Sequence, residues 1–160
     1  MIRNLLYCLT NRLPARIISD GEKPYLERYY VGTVLGVRFY LHQFVASDPD
    51  RGLHDHPWPW AFSIILAGSY LEETRGGTKP VRWLNFLTGD SFHRVILRSR
   101  YGRTLPVWTL FAHRAKRTKR WGFLRSTLLD NTFRYIVHRP SIDEQWWMNA
   151  PTGRQIRGLV

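Results

Sequence analysis

Val37, Phe39, Leu41 and Val45 alternate with Arg38, Tyr40, His42 and Phe44, and only an extended strand turns such a period of two into two distinct faces. Tyr25 to Val31, Phe62-Ser-Ile-Ile-Leu-Ala-Gly68, Val81 to Leu87, Leu105 to Phe111 and Thr132 to Val137 read as further strands. Sharp turns punctuate them at Asp48-Pro-Asp-Arg-Gly52 and Gly76-Gly77-Thr-Lys-Pro80, where proline presets φ and glycine is free to take a positive one. Many short strands between turns predict an all-β protein, a jelly roll or barrel. The aromatic fraction of 14%, with seven tryptophans and eight tyrosines, favours strands and an aromatic-walled pocket over a helical bundle. At 160 residues without an internal repeat, the chain is expected to form one domain, 1–160.

The ends read differently. Leu5, Leu9, Leu13 and Ile17 recur at helical spacing, interrupted only by Pro14, and predict a short amphipathic N-terminal helix. It would pack outside the barrel or on a neighbouring subunit, the latter implying a homodimer. Asn4, Asn11 and Arg12 break the apolar run, so it does not read as a signal sequence. No stretch approaches the roughly 18 consecutive apolar residues of a membrane span. A helical turn over Asp143 to Ala150 and a loosely attached Thr152 to Val160 are expected as small C-terminal additions. With Cys8 as its one cysteine the chain makes no intrachain disulfide, which fits a cytoplasmic location, although a secreted protein without disulfides reads the same.

Two stretches carry chemistry, His54-Asp55-His56-Pro-Trp-Pro-Trp60 and Gly89-Asp-Ser-Phe-His93. In a strand His54 and His56 project from one face and reach a common point. Neutral imidazoles ligate borderline divalent metals, and two from one strand with His93 from elsewhere would form a facial triad. His42, Tyr40 and Arg38 share the less apolar face of their strand, which fronts either the pocket or solvent. Arg94 and Asp55 point away from their histidine neighbours: Arg94 reads as a salt-bridge partner, and Asp55 as a surface residue ahead of an acceptor that orients a ligand. Trp58, Trp60 and Trp108 build an aromatic wall or are plain core. There is no glycine-rich phosphate loop, dinucleotide fingerprint or nucleophile elbow.

The net charge of +12 is uneven. Ser91 through Leu129 holds no acidic residue, and Lys116, Arg117, Lys119 and Arg120 crowd one loop after an apolar strand. Such a field attracts polyanions, nucleic acid included, through counterion release. A solvated basic surface without a dedicated partner is the plainer reading.

Taken together, Tyr40-Leu-His42, Leu53-His-Asp-His-Pro-Trp58, Leu66-Ala-Gly-Ser-Tyr-Leu-Glu-Glu73, Asn85-Phe-Leu-Thr-Gly-Asp-Ser-Phe-His-Arg-Val95, Trp108-Thr-Leu-Phe111 and Trp121-Gly-Phe123 resemble the motifs of a group of small bacterial and phage cupins in the RmlC-like superfamily. The resemblance covers about 25–123, the expected core, and implies a double-stranded β-helix, the cupin jelly-roll barrel. It departs from the general cupin pattern in instructive places: Ala61 stands where the first motif has its glutamate, and Leu97 where the second has its asparagine. Three histidines without a carboxylate resemble the iron sites of thiol dioxygenases. The implied cofactor is a divalent metal, Fe(II) ahead of Zn, Ni or Mn. Its uncompensated charge would recruit a small anionic substrate. His113, Glu72 or Glu73 would supply any further ligand. The resemblance thus implies a metal-dependent, dioxygenase-like enzyme, with a non-catalytic cupin that binds a ligand or polyanion as the alternative; the His/Tyr chemistry of a sugar epimerase fits less well.

Overall fold

The computed structural model describes residues 1–126, 132–138 and 145–158. A helix, α1 (Ile2–Thr10), leads into β1 (Ala15–Asp20), β2 (Lys23–Val34) and β3 (Val37–Phe44). Then come β4 (Leu53–His54), β5 (Trp60–Ala67), β6 (Tyr70–Thr74), β7 (Gly77–Val81), β8 (Leu84–Thr88) and β9 (His93–Leu97). A small hairpin, β10 (Ser99–Arg100) and β11 (Arg103–Thr104), precedes β12 (Val107–Arg114), β13 (Gly122–Ser126) and β14 (Phe133–Val137). A 3₁₀ turn (Trp146–Met148) and helix α2 (Gly153–Ile156) follow. Two antiparallel sheets face each other among the described residues, ordered β1-β2-β3-β12-β5-β8 and β14-β13-β4-β9-β6-β7. The protein is thus all-β with a short N-terminal helix, as expected. No helix among the described residues is long and apolar enough to cross a membrane.

One core lies between the sheets, with Leu26, Phe44, Ile65, Tyr70, Val95 and Val107 among its members. A second lies outside the first sheet, where Leu6, Tyr29, Leu41 and Trp108 pack together. Trp108 is fully buried there, edge-on to Tyr7 and stacked on Tyr29, so it is core and no part of a pocket wall.

The helix ends earlier than the leucine spacing predicts. The chain turns at Asn11 and Arg12, and Ile17 is already in β1, opposite Glu27 of β2. Strand pairing at Ala15 takes the residues that the spacing assigns to a helix, because each pairs its backbone with β2. The buried face of α1 consequently carries Leu6 and Thr10, while Leu5 and Leu9 are exposed.

The C-terminal segment is docked over 152–157, against the expectation of a loose tail, while 159–160 lie outside the described residues. Thr152 and Gln155 form a capping box, and Thr152 bridges to Pro14. A Cβ on Gly153 would lie 2.2 Å from the Thr10 carbonyl oxygen, so only glycine permits that approach. Arg157 donates to Asn11 Oδ1, Thr10 Oγ1 and the Tyr29 hydroxyl. The expected turn from Asp143 begins in 139–144, outside the described residues, and the 3₁₀ turn falls in its second half.

Candidate metal centre

β4, β9 and β13 lie side by side in the second sheet, with Phe123 opposite His54 and His54 opposite His93. The two histidines therefore project together from adjacent strands into the barrel. His56 arrives differently. Pro57 and Pro59 lack the N–H a ladder needs, so β4 stops at His54 and His56 sits in the loop beyond it. The His56 N–H donates to the Gly89 carbonyl. A Cβ on Gly89 would come within 2.6 Å of the Trp58 carbonyl oxygen, so the Gly89-Asp90 turn closes directly against the histidine loop.

One ring nitrogen from each of His54, His56 and His93 falls within 4.8 Å of the others, and Nε2 of His56 lies 3.0 Å from Nε2 of His93. Two metal–nitrogen bonds of about 2.1 Å meeting at a right angle place their nitrogens about 3.0 Å apart, against about 3.4 Å at a tetrahedral angle. Burial holds His54 and His56 well below the ordinary imidazole range, with the neighbouring His93 adding to the effect. Both rings are neutral and offer lone pairs.

Glu72 lies behind this cluster. Its Oε1 is 3.0 Å from Nδ1 of His93, while Asn85 Nδ2 and Lys79 Nζ donate to its oxygens. Burial pushes its carboxyl up, but the groups facing it from His93, Asn85 and Lys79 outweigh that and hold it at about 2. The contact with His93 is an ion-pair approach outside hydrogen-bond alignment, and a carboxylate so placed favours a proton on Nδ1 and leaves Nε2 facing His56. Glu72 thus lies where it orients a ligand. Glu73 faces out and pairs with Arg94, which also reaches Asp50, the salt-bridge role the sequence suggests for that arginine.

The remaining histidines lie on the opposite sheet. His42 faces the cavity with Tyr40, stacks on Phe111 and accepts a 3.0 Å hydrogen bond at Nε2 from Arg28 Nε. His113 belongs to β12 and is buried, with its ring 3.5 Å from that of Trp58. Burial lowers its pKa to about 3, and Nδ1–H donates to the Arg114 carbonyl, leaving Nε2 as its lone-pair nitrogen. Neither belongs to the three-nitrogen cluster.

Asp55 corrects the expectation of a surface residue. It is 1% exposed, accepts from Gly122 N, Lys119 Nζ and the Tyr135 hydroxyl, and ties β13 and β14 to the histidine loop. Lys119 also reaches Asp90 at 2.6 Å, so it is drawn out of the basic cluster, while Lys116, Arg117 and Arg120 stay exposed.

No protein-family model and no curated protein matches the sequence. Solved structures do. A cupin-2 domain protein from Rhodospirillum rubrum superposes with a TM-score of 0.52 at 16% identity, covering 67% of this chain and 72% of that one. A cupin 2 conserved barrel domain protein from Rhodopseudomonas palustris gives 0.52 at 14%, covering 74% and 80%. The fold is that of a cupin. Fe(II) HppE matches at 0.51 and 10% identity over 63% of this chain, which spans just over half (56%) of that longer one.

The cupin barrel encloses a cavity of about 370 Å³ that reaches all three histidines. Among the described residues Arg16, Arg28, Arg38, Arg51 and Arg117 line it, with Asp48 as the one carboxylate. The sequence expectation placed the anion-attracting charge in the loop 113–120, whereas most of the cavity's arginines come from β1, β2 and β3. Arg38 was visible as a member of the Tyr40 face. Arg16 and Arg28 were not, because β1 was read as helix and its pairing with β2 was unseen. The recoverable signal was Ala15-Arg-Ile-Ile-Ser-Asp20, a short strand-like run closing on Gly21.

Proposed function

We propose that this cupin is a metal-dependent enzyme acting on a small anionic substrate, with His54, His56 and His93 as metal ligands. The observation that carries the reading is the convergence of three ring nitrogens, one of them beside Glu72, at the wall of an arginine-lined cavity. The three nitrogens suit a divalent metal, for which we favour Fe(II), with Zn, Ni or Mn as alternatives. When bound, Fe(II) would supply Lewis acidity and reactivity toward dioxygen, the chemistry of a non-haem dioxygenase. Glu72 favours a proton on Nδ1 of His93, Trp58 and Phe111 keep the inner cavity apolar, and the arginines favour an anion over a neutral ligand. The polyanion alternative is weaker because Lys119 is spent on Asp55 and Asp90, and five arginines line an internal cavity too small for a nucleic-acid strand.

The test is elemental analysis of purified protein together with metal titration of the metal-free form. One equivalent of a divalent ion is expected, lost in His93→Ala with the fold retained. Oxygen uptake with a panel of small carboxylates, thiols and phosphate esters then separates an oxygenase from other metal-dependent activities. Stoichiometric metal in His93→Ala at unchanged affinity would overturn the assignment.

A further inference from the structure

Arg16 and Arg28 stand directly opposite one another on β1 and β2, and Arg28 stands opposite His42 on β3. In-register neighbours on one face of a sheet have their side chains side by side, and like charges there repel. Both guanidinium groups are half-buried, and no carboxylate lies within ion-pair distance of Arg16, Arg28 or Arg38 among the described residues. The acid closest in sequence, Glu27, alternates to the outer face, where it meets the Tyr29 hydroxyl and Arg157. Nε of Arg16 and Nε of Arg38 are buried and lack a hydrogen-bond partner among the described residues. Among the described residues the cavity thus gathers positive charge against Asp48 as its one carboxylate, an arrangement that costs stability unless a ligand completes it.

The surroundings fix the three groups in place. Arg16 lies over the Trp146 ring at 4.8 Å, Arg28 over Tyr40 at 5.3 Å and Arg38 over Trp147 at 4.9 Å. Tyr40 stacks on Trp146 and Trp147 on Tyr30, so the aromatic rings and guanidinium planes alternate along the wall. Planar stacking restrains each fork while leaving its edge N–H donors for a ligand. Burial, and then repulsion from Arg28, bring Arg16 down to about 10, which leaves it charged at neutral pH, and burial lowers Arg28.

We infer that Arg16, Arg28 and Arg38 form a receptor for a dianionic, tetrahedral oxyanion, a phosphoryl group carried by a small organic substrate. A carboxylate has two oxygens in one plane and is satisfied by a single arginine fork; three forks on three strands call for a group with more charge and acceptor oxygens in several directions. The wall belongs to the sheet opposite the histidine cluster, and facing sheets pack about 10 Å apart. A substrate of a few carbon atoms would therefore hold its phosphoryl end at the arginines and its reacting end at His54, His56 and His93. This substrate class rests on the metal-enzyme reading only for that second end; the receptor itself needs no metal.

The experiment is calorimetric titration of metal-free protein with methyl phosphate, and with acetate at matched ionic strength. Methyl phosphate is expected to bind at least tenfold more tightly than acetate, and Arg16→Gln and Arg28→Gln each to weaken it at least tenfold. Lys116→Ser, on the exposed loop, should leave it unchanged. His93→Ala should lose metal yet keep methyl phosphate, so the two readings fail separately. If Arg28→Gln does not fold, Arg16→Gln on the edge strand β1 decides. Methyl phosphate binding no better than acetate, or undiminished in the Arg16→Gln variant, would overturn the proposal.

Discussion

Glu72→Gln isolates how the barrel aims a histidine. The side chain is 1% exposed, its Oε1 is 3.0 Å from His93 Nδ1, and it is anionic at neutral pH. Glutamine keeps the volume and removes the charge. If its carbonyl oxygen faces His93, its amide N–H₂ faces the Lys79 ammonium, a donor against a donor. If the amide faces His93, Nδ1 becomes the acceptor and the proton moves to Nε2, the nitrogen that lies 3.0 Å from His56. Either arrangement weakens the ligand set, and removal of such a supporting partner typically lowers metal affinity 10- to 100-fold. That corresponds to about 1.4–2.7 kcal/mol.

The assay is competition of Mn(II) or Zn(II) between metal-free protein and a chromogenic chelator, for wild type, Glu72→Gln and Lys79→Met. Lys79 is 64% exposed, so its removal leaves the contact with His93 intact and should change affinity by less than about threefold. Glu72→Gln binding within twofold of wild type would refute the orienting role. The two substitutions change net charge in opposite directions, so equal losses in both variants would trace the effect to the Lys79–Glu72 pair and not to the tautomer.

Other outcomes follow from the same geometry. His93→Ala should abolish metal-dependent thermal stabilisation while leaving the far-ultraviolet circular dichroism of the metal-free protein unchanged, since linkage operates only through the folded site. Asp55→Ala removes the acceptor of Gly122 N and Lys119 and should cost about 3 kcal/mol in urea denaturation; a loss under about 0.5 kcal/mol would return Asp55 to the surface. Burial lowers His42 and takes His113 to about 3, whereas in the unfolded chain both titrate near about 6.5, so the unfolded state binds the extra protons in acid. Stability should be level above about pH 7 and fall below about pH 6.5 by about 1.4 kcal/mol per pH unit for each histidine, and His113→Gln should remove one such slope.

Where backbone alternation and turns dominate, the sequence was legible. β3 and β5 fall within a residue or two of their expected ranges, and the proline-glycine turn at Asp48 to Gly52 leads directly into His54. The histidine loop was half legible: its members come together, but His56 is held by the Gly89 turn and not by a continuing strand. The charged residues whose setting the sequence leaves open share a physical cause. Asp55, Glu72 and Arg28 are charged groups whose burial depends on partners far along the chain: Asp55 on Lys119, 64 positions away, Glu72 on His93, and Arg28 on His42. Hydropathy patterns assign such residues to the outside, because a buried charge is favourable only once its partner is known.

The barrel interior divides its electrostatics by sheet. On the β4-β9-β6 side every buried charge is matched: Glu72 by His93, Asn85 and Lys79, and Asp55, at the edge of that side, by Lys119 and Gly122 N. On the β1-β2-β3 side the arginines are stacked on aromatic rings and left without carboxylates among the described residues. A histidine cluster needs its supports satisfied, since any unsatisfied neighbour would compete for the ring nitrogens. An arginine wall gains nothing from an internal acid, which would compete with the ligand for the same N–H donors. The asymmetry follows if the second sheet is built to keep its ligand atoms fixed and the first to remain incomplete until an anion enters.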